Sequence, residues 1–363
     1  MTDPQGTDLA AEQTDAPYVA VTSIRHVIVH TLVKRQTDTV GRIDNRDAEM
    51  TVTLLAQQLV DTLYTEYQKR HSKSYGAFDG NTEAAPSQVY ARRYLLDNEI
   101  DFYEFSTNLA RLLCEKTERT AATGGHIFIA HVEEGGVEHV LIAVITDEQA
   151  IALSEAKELT PAEYLNLKGF RFAGRINATA WASGEVRYLS FLKGTKNVAD
   201  YFKSFLACNT AISSLADTQH LTSAVRAFAL SATKPDGSVL SESERDTLLR
   251  KIDAECRHMA DVSKPLEILP FCNAMWPDDP EALASAITQS GFEINDGFVP
   301  HKTGLRGLVS FRGRTAHWTL EFDRKGLQER DVVYDHENDT ITLKGIPDDL
   351  RAKLHEEDEA ATE

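Results

Sequence analysis

Glu321, Asp323 and Lys325 close the run HWTLEFDRK. Two carboxylates and an ammonium at a strand end form a set with which metal-dependent nucleases hold a divalent ion and polarise a phosphate. A strand leaving the core for solvent gives the same EFDRK pattern, and no upstream acid has a diagnostic spacing. His26 and His30 sit four apart. That is a metal-ligand spacing on a helix, but on a strand such positions lie two pleats apart on one face, so they read as ordinary histidines. Cys114, Cys208, Cys256 and Cys272 are far apart with no CxxC pair, which argues against a disulfide framework and a zinc site. Cys256, His258 and Cys272 fit no zinc spacing. No GxSxG, HExxH, Walker A loop or GxGxxG occurs, and these absences lower the case for an enzyme. No cofactor or metal is expected, with a metal-dependent nuclease centred on Glu321 and Asp323 kept as an alternative.

The stronger signal is a concentration of cations in a chain of formal net charge −18. Residues 168–203 hold Lys168, Arg171, Arg175, Arg187, Lys193, Lys196 and Lys203 against Glu185 and Asp200, a balance of +5. Residues 301–326 hold Lys302, Arg306, Arg312, Arg314, Arg324 and Lys325 against Glu321 and Asp323, a balance of +4. Within the first segment, EVRYLSFLKGTKNVADYFKSF reads as a strand, a basic turn and a helix opening at Thr195. Val198, Tyr201, Phe202, Phe205 and Leu206 supply the apolar face of that helix. A lysine in a first helical turn opposes the dipole by roughly 0.3–1 kcal/mol, a conflict that a bound phosphate relieves. Phe170, Phe172, Trp181, Tyr188 and Phe191 read as core aromatics rather than base-stacking platforms.

These residues point to double-stranded DNA contacted at its backbone, largely independently of sequence, through Arg187, Lys193, Lys196, Lys203, Arg306, Arg312 and Arg314. About five engaged phosphates would give a log affinity against log salt slope near −4.5. The alternative from another class is an acidic adaptor or DNA mimic that regulates a DNA-processing enzyme.

What must position these cations is a mixed α/β chain of 363 residues, 42% apolar and 26% charged. No run of about 18 apolar residues exists to span a bilayer. The first residues have neither a basic start nor an apolar segment, so a cytoplasmic location is expected. Acidic tails at 1–20 and 356–363 are expected to be disordered. Residues 21–230 read as a larger N-terminal domain, a mixed sheet flanked by helices. Residues 241–355 read as a smaller C-terminal α+β domain with a short antiparallel sheet, joined through the turn-rich SATKPDGSVL.

Within these domains an opening strand is expected over 23–35, and a helix over 47–70 with Met50, Leu54, Leu55, Leu59, Leu63, Tyr64 and Tyr67 inward. One long helix is expected over 87–118. GHIFIAHV and VEHVLIAVI form a hairpin joined by the four-residue turn EEGG, and the second run is apolar on both faces, as in a central strand. Thr160, Pro161 and Glu163 read as the capping box of a short helix, and Ser241 with Glu244 as another. Asp279 and Pro280 open a further helix. LVSF, HWTLEF, DVVY and TITL read as one small antiparallel sheet, and 347–355 as a closing helix.

VHTLVKR near the start, YGAF at 75–78, RYLSFLKG followed by VADYF, and EFD with DTITLKGIPDDLRAKL resemble the bacterial nucleoid-associated protein family NdpA, also called YejK. The likeness is dispersed from about residue 24 to residue 354. It implies association with DNA and the nucleoid, carries no catalytic motif, and does not locate the contacts. A homodimer is suggested only by analogy.

Overall fold

The structure, a computed structural model, describes all residues except 1–18, 80–85, 154–156, 168, 170, 171, 193–203, 211, 212, 290, 324, 325, 328 and 361–363; Arg312 and residues 358–360 are described by backbone alone. The fold is mixed α/β. Its main sheet has the order β10-β3-β9-β8-β5-β4-β1-β2, built from β1 (Ser23–Val33), β2 (Arg42–Asp44), β3 (Lys73–Phe78), β4 (Gly125–Glu134), β5 (Val137–Ile145), β8 (Phe172–Asn177), β9 (Leu189–Leu192) and β10 (Cys208–Asn209). The pairings from β2 through β1, β4 and β5 to β8 are antiparallel. The chain forms two compact units, the first from 1–67, 78–189 and 194–208, the second from 68–77, 190–193 and 209–363.

In the first unit the β4–β5 hairpin forms where the sequence places it. Gly135 and Gly136 alone make the turn, at φ 58° and 84°, the left-handed pair that a tight two-residue connection demands. Glu133 and Glu134, expected in the turn, remain in β4 and pair with Glu138 and Val137. Every residue of β5 from His139 to Ile145 is buried. Pleat parity explains this. His30 of β1 reaches Ser106 of α3 (Phe102–Thr117) on one face. His139 lies near Tyr64 of α1 (Leu54–Lys69) on the other.

Three helix expectations change. α1 begins at Leu54, where the Thr53 hydroxyl accepts from the Ala56 amide at 3.2 Å. Leu54 and Leu55 are 63% and 76% exposed, and the inward face is Ala56, Val60, Leu63, Tyr64 and Tyr67. The single helix over 87–118 is two, α2 (Pro86–Leu95) and α3. Asn98 sits at φ 52°, and Asp101 caps α3 by accepting from the Glu104 amide at 2.7 Å; such residues favour turns and caps over helix interiors. The Thr160–Pro161–Glu163 helix is instead strand β7 (Leu159–Leu165), paired with β6 (Asp147–Leu153). A two-stranded ribbon consists only of edges, so Pro161 is tolerated opposite Ile151. After β8 comes the short α4 (Ala178–Ala182), capped by Asn177. Of the helix expected from Thr195, residues 195–203 lie outside the described residues, while 204–206 are helical with Phe205 and Leu206 buried as expected.

The second unit is helical at its centre. α5 (Ser214–Ser231), α6 (Glu242–Asp261), α7 (Ile268–Met275), α8 (Pro280–Gln289) and α9 (Arg306–Val309) enclose a core of Leu221, Val225, Ile252, Phe271, Leu283 and Leu308 among others. Both anticipated helix starts are present. Ser241 and Glu244 form a reciprocal capping box, and the Asp279 carboxylate accepts from the Ala282 amide at 3.0 Å. The four late strands make two separate ribbons rather than one sheet. β11 (Ser310–Arg314) pairs β12 (Thr319–Asp323), and β13 (Val332–Asp335) pairs β14 (Thr340–Leu343). α10 (Asp348–Ala360) follows. All four cysteines are free and buried.

Candidate nucleic-acid interface

Two glycines in the run HKTGLRGLV let residues 301–309 lie directly on α5. A side chain at Gly304 would begin 2.7 Å from the Thr218 side chain, and one at Gly307 would begin 3.3 Å from the Thr222 methyl. Hydrogen bonds fix the approach: the Thr222 hydroxyl donates to the Gly304 carbonyl at 3.1 Å, and the His301 amide donates to the Thr218 hydroxyl at 2.9 Å. The same contact brings Arg226 of α5 beside α9, with its Nη1 about 4.0 Å from where a side chain on Gly307 would start. Arg306 stands exposed at the head of α9, and the chain runs on into β11, where Arg314 is exposed. Arg245 of α6 shares a cavity with Arg226.

These arginines differ from their neighbours in having no ion pair among the described residues. Arg250 is held by Asp246 and Asp323, each at 2.7 Å, and these hydrogen bonds raise its pKa further. Arg257 is held by Asp253 at 2.7 Å, Lys234 by Glu244 at 3.0 Å, and Lys302 by Asp261. Arg226, Arg245, Arg306 and Arg314 have no carboxylate partner among the described residues. An arginine that is not engaged internally keeps its planar fork of donors for a phosphate.

The residues expected from sequence fall as follows. Arg306 and Arg314 belong to the second unit, and Arg312 occupies β11 opposite Glu321. Arg187 belongs to the first unit, half-buried and engaged by a neighbour. Lys193, Lys196 and Lys203 lie outside the described residues, as do Lys168, Arg171, Arg324 and Lys325. Arg175, counted among the cations of the first segment, is part of the packing. Its Nη1 donates to the Tyr64 hydroxyl at 3.2 Å, and its guanidinium lies about 6 Å from the centroids of the Tyr64 and Tyr67 rings. Lys302 is likewise spent on Asp261.

Arg226 and Arg245 went unrecognised because each sits on a helix outside the two basic segments, Arg245 amid the acids of ESERD. Helical spacing holds the missing signal. On α6, Asp246 and Asp253 each capture the arginine four residues later, the favourable order for such a pair. Four residues before Arg245 is Ser241, whose hydroxyl caps the helix; four before Arg226 is Thr222, whose hydroxyl is bonded to Gly304.

For the nuclease alternative, Asp323 would have to leave Arg250 before it could hold a cation. Among the described residues no three His, Cys, Asp or Glu side chains gather to hold a metal. His26 pairs with Glu49 at 2.8 Å and stacks on Phe102, and buried His30 meets the Ser106 hydroxyl at 3.1 Å. Both act in packing.

A sequence profile described as nucleoid-associated protein YejK matches residues 28–351. The chain belongs to the YejK family of nucleoid-associated proteins. A nucleoid-associated protein of Pseudomonas entomophila is 28% identical over 339 residues, covering 91% of this chain and 98% of the relative. Another of Pseudomonas paraeruginosa is 28% identical over 336 residues, covering 91% and 96%. A third, from Azotobacter vinelandii, is 27% identical over the same span, with 97% of the relative covered. The YejK match takes in strands of the main sheet and α5, α6 and α9 of the second unit. No described helix is long and apolar enough to cross a membrane.

Proposed function

We propose that this YejK-family protein binds double-stranded DNA in the bacterial nucleoid by contacting backbone phosphates, largely independently of sequence. The observation that carries the reading is the set of arginines from α5, α6, α9 and β11 that have no carboxylate partner among the described residues, with Arg306 and Arg314 exposed. Arg187, Lys193, Lys196, Lys203 and Arg312 are further proposed contacts. Phosphate contacts of this kind position a protein on a duplex without reading bases.

Each neutralised phosphate adds about −0.9 to the slope of log affinity against log salt, so Arg226, Arg245, Arg306 and Arg314 together supply about −3.6. Anisotropy titrations of a labelled duplex between 100 and 300 mM salt measure the slope. The double variant R306E/R314E should reduce its magnitude by about 1.8 on duplexes of unrelated sequence. A slope near zero, or one that the double variant leaves unchanged, refutes these contacts.

A second reading, an acidic adaptor for a DNA-processing enzyme, is favoured by the net charge of −18. Capture of such an enzyme that survives nuclease treatment, with no binding to bare duplex, would decide for it.

A further inference from the structure

We infer that the second unit also holds a pocket for one unpaired nucleotide of a DNA strand, an inference that rests on the DNA-binding reading and sharpens it. A cavity of about 300 Å³ opens between α5 and α6 and is bounded on its far side by the β11 segment. Its chemistry is divided. Arg226 and Arg245 bring two guanidiniums, Glu242 and Asp246 bring acceptors, and Phe311 and Leu249 bring apolar surface.

Each part matches one part of a nucleotide. The two arginines have no carboxylate partner among the described residues, so a phosphate can take both forks. Phe311 stacks on Phe322 at 5.4 Å between centroids, which fixes the ring as a platform while it still lines the cavity; aromatic platforms of this kind receive unstacked bases. Glu242 supplies the third element: its exposed carboxylate lines the cavity and can accept from the amino or imide N–H of a base. Asp246 is engaged by Arg250 at 2.7 Å. A plain anion site would not place two carboxylates beside its cations, and a purely apolar ligand would leave the arginines and Glu242 unused.

Inside a duplex the base edges and faces are engaged in pairing and stacking, so only a nucleotide that is bulged, gapped or single-stranded can enter such a pocket. The ligand class is therefore a strand with at least one unpaired nucleotide, as found at bulges, gaps and opened duplex.

The test compares the full chain on a blunt 30-base-pair duplex and on the same duplex with a central three-cytosine bulge, at one salt concentration. Stacking of one base corresponds to roughly tenfold in affinity, so the bulged duplex should bind about tenfold more tightly. R226A/R245A should bring the ratio of the two affinities to about one, whereas R306E/R314E should weaken both and leave the ratio in place. Circular dichroism of each variant establishes folding, and the wild-type ratio requires no variant. Equal wild-type affinity for both duplexes, or a ratio that survives R226A/R245A, overturns the pocket while leaving backbone binding intact. Absence of binding to either DNA overturns backbone binding and the pocket together.

Discussion

Replacing His139 with glutamine should flatten the acid-stability profile of the first unit. His139 lies in central strand β5, 4% exposed, with the Tyr64 ring 5.9 Å away and no hydrogen-bond partner for Nδ1 among the described residues. Burial first, then the positive charge of Arg175 and then His131, lower its pKa to about 3. In the unfolded chain the same imidazole titrates near 6.5. Between these values the unfolded state binds a proton that the folded state refuses, so stability is fully present above about pH 6.5 and falls as the pH drops towards 3. At about 1.36 kcal/mol per pH unit, the loss attributable to His139 is about 2 kcal/mol at pH 5. Burial lowers His30 and His131 as well, so they add losses of the same sign, which remain in the variant.

The assay is urea unfolding at pH 7.5 and pH 5.0, read from one tryptophan. Of the three tryptophans, Trp181 belongs to the first unit, where it stacks on Tyr188 at 5.2 Å between centroids. A W276F/W318F background silences the other two. H139Q in that background should retain about 2 kcal/mol of the stability that its parent loses between the two pH values, a midpoint difference of about 1 M urea for an ordinary m-value. Comparison of the two proteins cancels the carboxylates they share. Parallel loss in both proteins would refute the assignment of a neutral, proton-refusing His139.

Asp61→Ala should destabilise the same unit by about 3 kcal/mol, because buried Asp61 accepts from the Val21 and Thr22 amides, the Thr22 hydroxyl and the Gln57 amide group, and its loss strands several donors. The urea midpoint read from Trp181 at pH 7.5 measures it. Ser241→Ala breaks one half of the capping box on α6 and should cost about 1 kcal/mol. It is read from Trp276, which meets Phe228 edge-on in the second unit.

Local periodicity carried the β4–β5 hairpin and the starts of α6 and α8, because in each the deciding partner lies within about ten residues. It failed where a short pattern competed with a pairing further away. Thr160, Pro161 and Glu163 satisfy a capping box on their own, and only the matching run Asp147–Leu153 converts them into a ribbon. The long helix over 87–118 was an error of the opposite kind: its apolar spacing continues past LDNEID, yet Asn98 and Asp101 end one helix and begin another. For the site, Arg306 and Arg314 were legible as members of a basic run. Arg226 and Arg245 were not, since only Gly304 and Gly307, by letting the chain press against α5, bring α9 beside Arg226. The turn carrying Lys193 and Lys196 remains a reading from the sequence.

The net charge of −18 is the chief physical objection to a DNA contact, and it fixes how that contact must depend on salt. At 0.15 M the Debye length is about 8 Å, so a phosphate at Arg306 feels charges within that range and few of the acids beyond it. Some acids of the second unit are also offset by arginines: Arg250 cancels one of the two charges of Asp246 and Asp323, and Arg257 cancels that of Asp253. At 0.01 M the Debye length grows to about 30 Å, larger than the roughly 20 Å radius of gyration of a compact chain of this length, and the whole excess of carboxylates then repels the duplex. Two opposing effects therefore act as salt is lowered: counterion release strengthens binding, and long-range repulsion weakens it. The plot of log affinity against log salt should be steep above about 0.1 M and should flatten or turn over near 0.01 M. A YejK-family protein whose plot stays straight to 0.01 M would be binding as a uniformly cationic surface does, and local pairing of acids and bases would not be what lets an acidic chain hold DNA.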